Sequence, residues 1–191
     1  MARLAQDGAG GPNSAADVGL EPSATSYPAH PSSVANLARR SSTSYIGGML
    51  PSADEIVANF EFLDDWEERY RYLIELGRMM PALPDESRTD ANKVMGCASQ
   101  VWLETGIEPA QDEAILHLRG DSDAHIVRGL IALLVALLSG RPASEIAEAD
   151  PQQTFRSLGL SEHLTPQRSN GLRSMVERIK RDARAAAAAV H

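Results

Sequence analysis

One cysteine among 191 residues is the scarcity that excludes most in this chain. A lone thiol cannot form an internal disulfide or a C-x-x-C redox pair, and it cannot hold zinc or an iron–sulfur cluster without ligands from elsewhere in the fold. Aromatic residues are also few, at 5%. Cations are outnumbered, 18 Lys and Arg against 26 Asp and Glu, which leaves a formal net charge of −8. A nucleic-acid surface needs clustered lysines and arginines, so no nucleic-acid partner is expected. The longest apolar run, Leu130 to Leu138, is about half of the ~18 residues a membrane span requires, so no membrane partner is expected either. Neither a glycine-rich phosphate loop nor a metal-ligand cluster is visible, and no cofactor and no metal site are expected.

What is present supports one ordinary domain. With 43% hydrophobic and 23% charged residues, the chain has enough apolar side chain for a single core. Residues 1–49 are dominated by Ala, Ser, Gly and Pro, with Pro12, Pro22, Pro28 and Pro31 interrupting any helix; they are expected to be a disordered extension that lacks the apolar content to join the core. Arg39-Arg40 in a serine-rich setting is the one feature an organellar targeting segment would use. Asp7, Asp17 and Glu21 count against that reading, and a cytoplasmic location is expected.

From residue 50 the punctuation is regular. Ser52-x-x-Glu55 reads as a capping box that opens a short helix with Ile56, Phe60 and Leu63 on its apolar side. Asp64-Asp65 offers a new N-cap for a longer helix with the stripe Trp66, Tyr70, Leu73 and Gly77, stopped before Pro81 and Pro84. Strands are expected over 99–104 and 114–118, with 104–113 as a turn between them. Asp121-Ser122-Asp123 reads as a set of N-cap candidates for residues 124–138, which are apolar around nearly the whole circumference and so form a buried helix. Ser144, Asp150-Pro151 and Thr165-Pro166 are expected to cap three further helices, the last with the core stripe Leu172, Met175, Val176 and Ile179. The alanine run 185–189 has nothing to pack, and residues 185–191 are expected to fray.

The cysteine lies in Asn92-Lys93-Val94-Met95-Gly96-Cys97-Ala98-Ser99-Gln100-Val101-Trp102. Gly96 permits a sharp turn and a strand begins just after, so Cys97 is expected at a loop tip, either as a reactive thiol or as a packing residue. The stretch Gly96-Cys97-x-Ser99-Gln100-Val101-Trp102 resembles the cysteine loop of the SufE family of sulfur-acceptor proteins. Gly120-Asp121-Ser122-Asp123-Ala124-His125 and His163-Leu164-Thr165-Pro166-Gln167-Arg168-Ser169-Asn170-Gly171-Leu172 resemble two further stretches of that family, in the same order. The resemblance covers about residues 50–184.

It implies an α+β fold, a small antiparallel sheet packed on a buried helix with further helices, of the SufE/NifU-like kind. NifU-type scaffolds hold clusters with three cysteines, whereas this chain has one. The implied activity is transpersulfidation onto Cys97 from a pyridoxal-phosphate-dependent, SufS-like cysteine desulfurase, with delivery to a SufBCD-like iron–sulfur scaffold. Such a protein activates a desulfurase rather than acting as a stand-alone enzyme. Gly96, Ser99, Gln100, Asp121, Asp123 and Arg168 are the loop and partner-contact candidates, and Lys93 or Arg168 is expected to help ionise the thiol. A CsdE-type acceptor for a different desulfurase fits the same motifs. From other classes, a cysteine hydrolase would need His117, His125 or His163 beside Cys97, and a binding adaptor would merely bury it.

Overall fold

The computed structural model describes residues 50–110 and 113–190; the extension 1–49 lies outside the described residues. Helix α1 (Ala53–Phe62) is closed by the expected box: the Ser52 hydroxyl accepts from the Glu55 N–H at 3.3 Å and the Glu55 carboxylate accepts from the Ser52 N–H at 3.0 Å. Its Ile56 and Phe60, with Leu63 just beyond, are buried. Helix α2 (Trp66–Met79) is capped by Asp65, which accepts from the Glu67 N–H. Its buried row is Tyr72, Leu73, Leu76 and Gly77. Trp66 and Tyr70 of the expected stripe pack at the margin of the core and are only half-buried, where they also meet the C-terminal helices: Trp66 stacks on His163 at 3.9 Å, and the Tyr70 hydroxyl accepts from Arg168.

After a 3-10 turn at Asp85–Ser87, strands β1 (Val101–Ala110) and β2 (Glu113–Ser122) pair antiparallel from Val101↔Ser122 to Ala110↔Glu113. The two-residue strand β3 (Arg141–Pro142) adds to the other side of β2, giving the order β1-β2-β3. The hairpin is therefore longer than expected, and the turn assigned to 104–113 is mostly strand. Gly106 and Pro109 read as breakers, but β1 is an edge strand, where a missing N–H costs no ladder bond and exposed positions demand no packing. The alternation along β2 is as expected, with Ala114, Leu116 and Leu118 facing the core.

Helix α3 (His125–Leu138) covers that face, and Leu130 to Leu134 are fully buried. Each such leucine or isoleucine contributes roughly 1.5–3 kcal/mol by leaving water. Gly129 lets α2 and α3 touch backbone to backbone, since a Cβ there would lie 2.2 Å from the Leu73 carbonyl oxygen. The expected capping of α3 by acids does not occur. Its N-cap is Ala124, with no side-chain capping bond; Asp121 and Ser122 close β2, and both acids are bonded elsewhere.

Helix α4 (Ala143–Glu148) starts straight from β3 with Pro142 at the cap, so Ser144 lies inside the first turn rather than before it. Helix α5 (Pro151–Ser157) has Asp150 accepting from the Gln152 N–H, and Gly159 follows at φ 71°. Helix α6 (Leu160–His163) leads to α7 (Pro166–Ala188), where Thr165 caps and Leu172, Met175, Val176 and Ile179 are buried as expected. The alanine run does not fray over its length: α7 continues to Ala188 and Ala186 is 2% exposed against the core. The whole is an α+β domain, and among the described residues no helix is long and apolar enough to cross a membrane.

Candidate functional site

The cysteine loop is a short hairpin with a closed neck. The Val94 N–H donates to the Val101 carbonyl at 2.9 Å and the Leu103 N–H to the Asn92 carbonyl at 2.7 Å, so residues 92–94 pair with the start of β1. Val94 is buried, while Met95 is 77% exposed. Gly96 takes φ 86°, the left-handed conformation its identity suggested, and turns the chain back onto α7.

That turn places Cys97 half-buried rather than at an open tip. Its Sγ donates to the Gly171 carbonyl of α7 at 3.6 Å. Behind it is a small cavity of about 20 Å³, walled by Val127 and Leu130 of α3 and by Arg168, Gly171 and Met175 of α7. Burial pushes the Cys97 thiol up from its ordinary range. Desolvation is the cause of that rise, and no help from the cations expected to assist ionisation accompanies it. Lys93 is held in the neck through its backbone, and Arg168 lines the cavity.

The other predicted residues divide into two groups. Ser99 lines the cavity with Cys97. Gln100 is clamped through its backbone: its N–H donates to Asp123 Oδ1 at 3.0 Å, and its carbonyl accepts from the Ser122 hydroxyl at 2.8 Å. Asp123 is thus the far anchor of the cysteine loop. Arg168, whose guanidinium donates to the Tyr70 hydroxyl at 3.2 Å, comes to the cavity from the first turn of α7. Asp121 is a separate matter. It is 3% exposed, pairs with Arg88 at 2.9 Å and Arg128 at 3.5 Å, and accepts from the Leu83 and Ser122 N–H groups. It pins the segment leading to the loop, and Arg88 in turn lies over the Trp102 ring at 5.9 Å.

Replacing Asp123 by Ala removes one solvent-exposed bond to a backbone N–H, so unfolding free energy should fall by about 1 kcal/mol or less. Alkylation of Cys97 in the folded variant should be faster than in wild type, because the loop loses an anchor. Equal alkylation rates would show that the neck alone fixes the loop.

Gly171, Met175, Val127 and Leu130 were missed as site residues. Gly171 stood inside the third matching stretch, but nothing local to it signals that Cys97, 74 residues earlier, lies against it. Of the histidines a hydrolase would need, His163 stacks on Trp66 and His117 meets Glu108 at 2.9 Å, and among the described residues none is hydrogen-bonded to Cys97. Nor do the described residues contain three or more His, Cys, Asp or Glu grouped to hold a metal ion.

Fold and site together define an α+β domain built around one half-buried thiol on a closed hairpin loop. The family model described as "Fe-S metabolism associated domain" (SufE) matches residues 54–183, and the chain belongs to the SufE family. An uncharacterized SufE-like protein of Rhizobium etli is 57% identical over 140 residues, covering 73% of this chain and 95% of that protein. A second, from Rhizobium meliloti, is 54% identical over 134 residues, covering 70% and 96%. The solution structure of a hypothetical protein from Thermus thermophilus shares the fold, with a TM-score of 0.57 at 24% identity over 72% of this chain and 97% of that one.

Proposed function

We propose that this protein is a cytoplasmic sulfur acceptor and carrier, in which Cys97 takes sulfane sulfur from the persulfide of a SufS-like cysteine desulfurase and delivers it to a SufBCD-like iron–sulfur scaffold. The observation that carries the reading is the cavity beside the Sγ. Its ~20 Å³ is of the order of the ~10–15 Å³ that one water needs, and Val127, Leu130 and Met175 line it, so an added sulfur turned that way would meet apolar side chains on that side.

The chemistry is an exchange without net oxidation. The Cys97 proton is lost to water, the thiolate attacks the outer sulfur of the donor's persulfide, a new S–S bond forms as the old one breaks, and the donor's thiolate leaves and is protonated. In its seat the thiol is a poor nucleophile, since the thiolate is the reacting form and burial opposes it. Attack therefore belongs to a loop position turned out towards the donor, and storage to the seated one. A CsdE-type acceptor runs the same exchange, and pairing the protein with each desulfurase in turn separates the two readings.

The test is to incubate the protein with a desulfurase and cysteine and to weigh it intact. One sulfur atom should be gained per chain, on the peptide containing Gly96-Cys97, and removed by dithiothreitol. Absence of that mass with every competent desulfurase would end the carrier reading.

The raised thiol pKa also makes a stability prediction. Below the ordinary thiol pKa both the folded and the unfolded chain hold the proton, and the contribution is fully present. Between that value and the raised folded value the unfolded chain loses its proton first, so stability should fall as pH rises through this alkaline window. The difference in stability between wild type and Cys97→Ser should narrow or reverse there, measured by urea unfolding across the window.

A further inference from the structure

The seat of Cys97 exists because one residue of α7 has no side chain. Gly171 is buried, lies six residues into a 23-residue helix, and has no unusual φ that would explain its choice. A Cβ built there would stand 3.1 Å from Cys97 Sγ, 3.5 Å from its Cβ and 3.6 Å from its Cα. The same carbonyl that accepts from the thiol belongs to this residue. One turn later, a Cβ on Gly96 of the loop would stand 3.0 Å from Ser174 Oγ, so the loop and α7 approach each other through two absent side chains. Inside a helix a glycine is the poorer residue for stability, which alanine would improve. Local stability therefore does not account for it; the space it leaves does.

We propose that Gly171 is the positioning residue that decides whether Cys97 rests in its cavity or outside it, and hence how well a sulfur carried on Cys97 is protected. This rests on the carrier reading for its purpose, but not for its geometry. Any side chain at residue 171 narrows the seat from the α7 side, and the part that yields is the loop, since among the described residues the hydrogen bonds that hold 95–99 are those of the neck, the Gln100 clamp and the thiol's own bond to Gly171. Of the residues lining the cavity Arg168 alone is charged, so displacing the thiol changes its hydration far more than its charged surroundings.

The experiment compares wild type, Gly171→Ala and Gly171→Val, with no desulfurase in its first arm. Iodoacetamide alkylation of Cys97 should be several-fold faster in the alanine variant at neutral pH and faster again in the valine variant. The midpoint of its pH profile should move down towards that of an unburied thiol, while the thermal midpoint of Gly171→Ala does not fall. In the second arm, the wild type and variants are loaded to one sulfur by a desulfurase; the variants should load, and then lose that sulfur to dithiothreitol faster. Unchanged alkylation rate and pH midpoint in folded Gly171→Ala would overturn the proposal, as would failure of that variant to fold, because then the helix packing and not the loop would be what residue 171 protects. Failure of wild type to load would sink the carrier reading and leave the alkylation result standing.

Discussion

Cys97→Ser should gain no sulfur from any desulfurase while remaining folded, the largest functional effect expected of any single substitution here. Serine nearly keeps the volume of cysteine and can still donate to the Gly171 carbonyl, but it cannot form a persulfide. The stability cost should stay within about 1 kcal/mol, since only a half-buried thiol with one long hydrogen bond is exchanged. Binding to the donor should persist, because docking depends on the surface around the loop, including the exposed Met95, more than on one small side chain. Intact mass after incubation with desulfurase and cysteine checks the first point, and urea unfolding the second. Sulfur loading retained in the serine variant would show that another residue is the acceptor. A large stability loss, joined to slow alkylation of the wild-type thiol, would favour the adaptor reading in which Cys97 only packs.

The largest loss of stability should come from Asp121→Ala. Asp121 is buried among partners from three parts of the chain, and its removal takes the carboxylate from Arg128, leaves Arg88 only its exposed pair with Asp85, and leaves the Leu83 N–H without its acceptor. Breaking one side of a buried ion pair typically costs 3–5 kcal/mol, and because Arg88 is 37% exposed the lower end applies, about 3 kcal/mol. The Arg128 contact is an ion pair rather than a hydrogen bond: its Nε is buried with no hydrogen-bond partner, and another of its nitrogens donates to the Met80 carbonyl at 2.9 Å. At roughly 2–4 °C per kcal/mol for domains of 150 residues or more, the thermal midpoint should drop by about 10 °C. Asp121→Asn keeps one acceptor oxygen, enough for the Leu83 or the Ser122 N–H but not both, and should lose less. A midpoint shift no larger than that of Asp123→Ala would show that water replaces the carboxylate at little cost.

These two acids illustrate what the sequence made legible and what it hid. Signals confined to a few neighbouring residues were readable: the Ser52–Glu55 box, the Asp65 cap, Asp150-Pro151 and Thr165-Pro166 all do what their spacing suggests. So was the all-apolar helix 125–138, because burial on every side needs no knowledge of the neighbours. Asp121 and Asp123 looked like caps because a strand end cannot be told from a helix start when both precede the same apolar run. The ion partner of Asp121 at Arg88 is 33 residues away, and nothing between them announces it. The length of β1 was hidden for a related reason: whether Gly106 and Pro109 end a strand depends on whether it lies at the edge of the sheet. At the site, Cys97 and its turn-forming Gly96 were legible locally, whereas the burial of the thiol was not, because α7 arrives only at the end of the chain.

The closed neck of the cysteine hairpin sets the leash on which Cys97 moves. With Val94 bonded to Val101 on one side and Gln100 to Asp123 on the other, Cys97 is three residues from either fixed point. Three residues fully extended span about 10 Å of backbone, so that is the farthest the Cys97 Cα can move from its anchors without opening the sheet, and the thiol reaches beyond it by the length of its side chain. Any partner that reacts with the thiol must therefore come within that reach of the β1–β2 corner. A deeply recessed partner site could be reached only by inserting the corner itself.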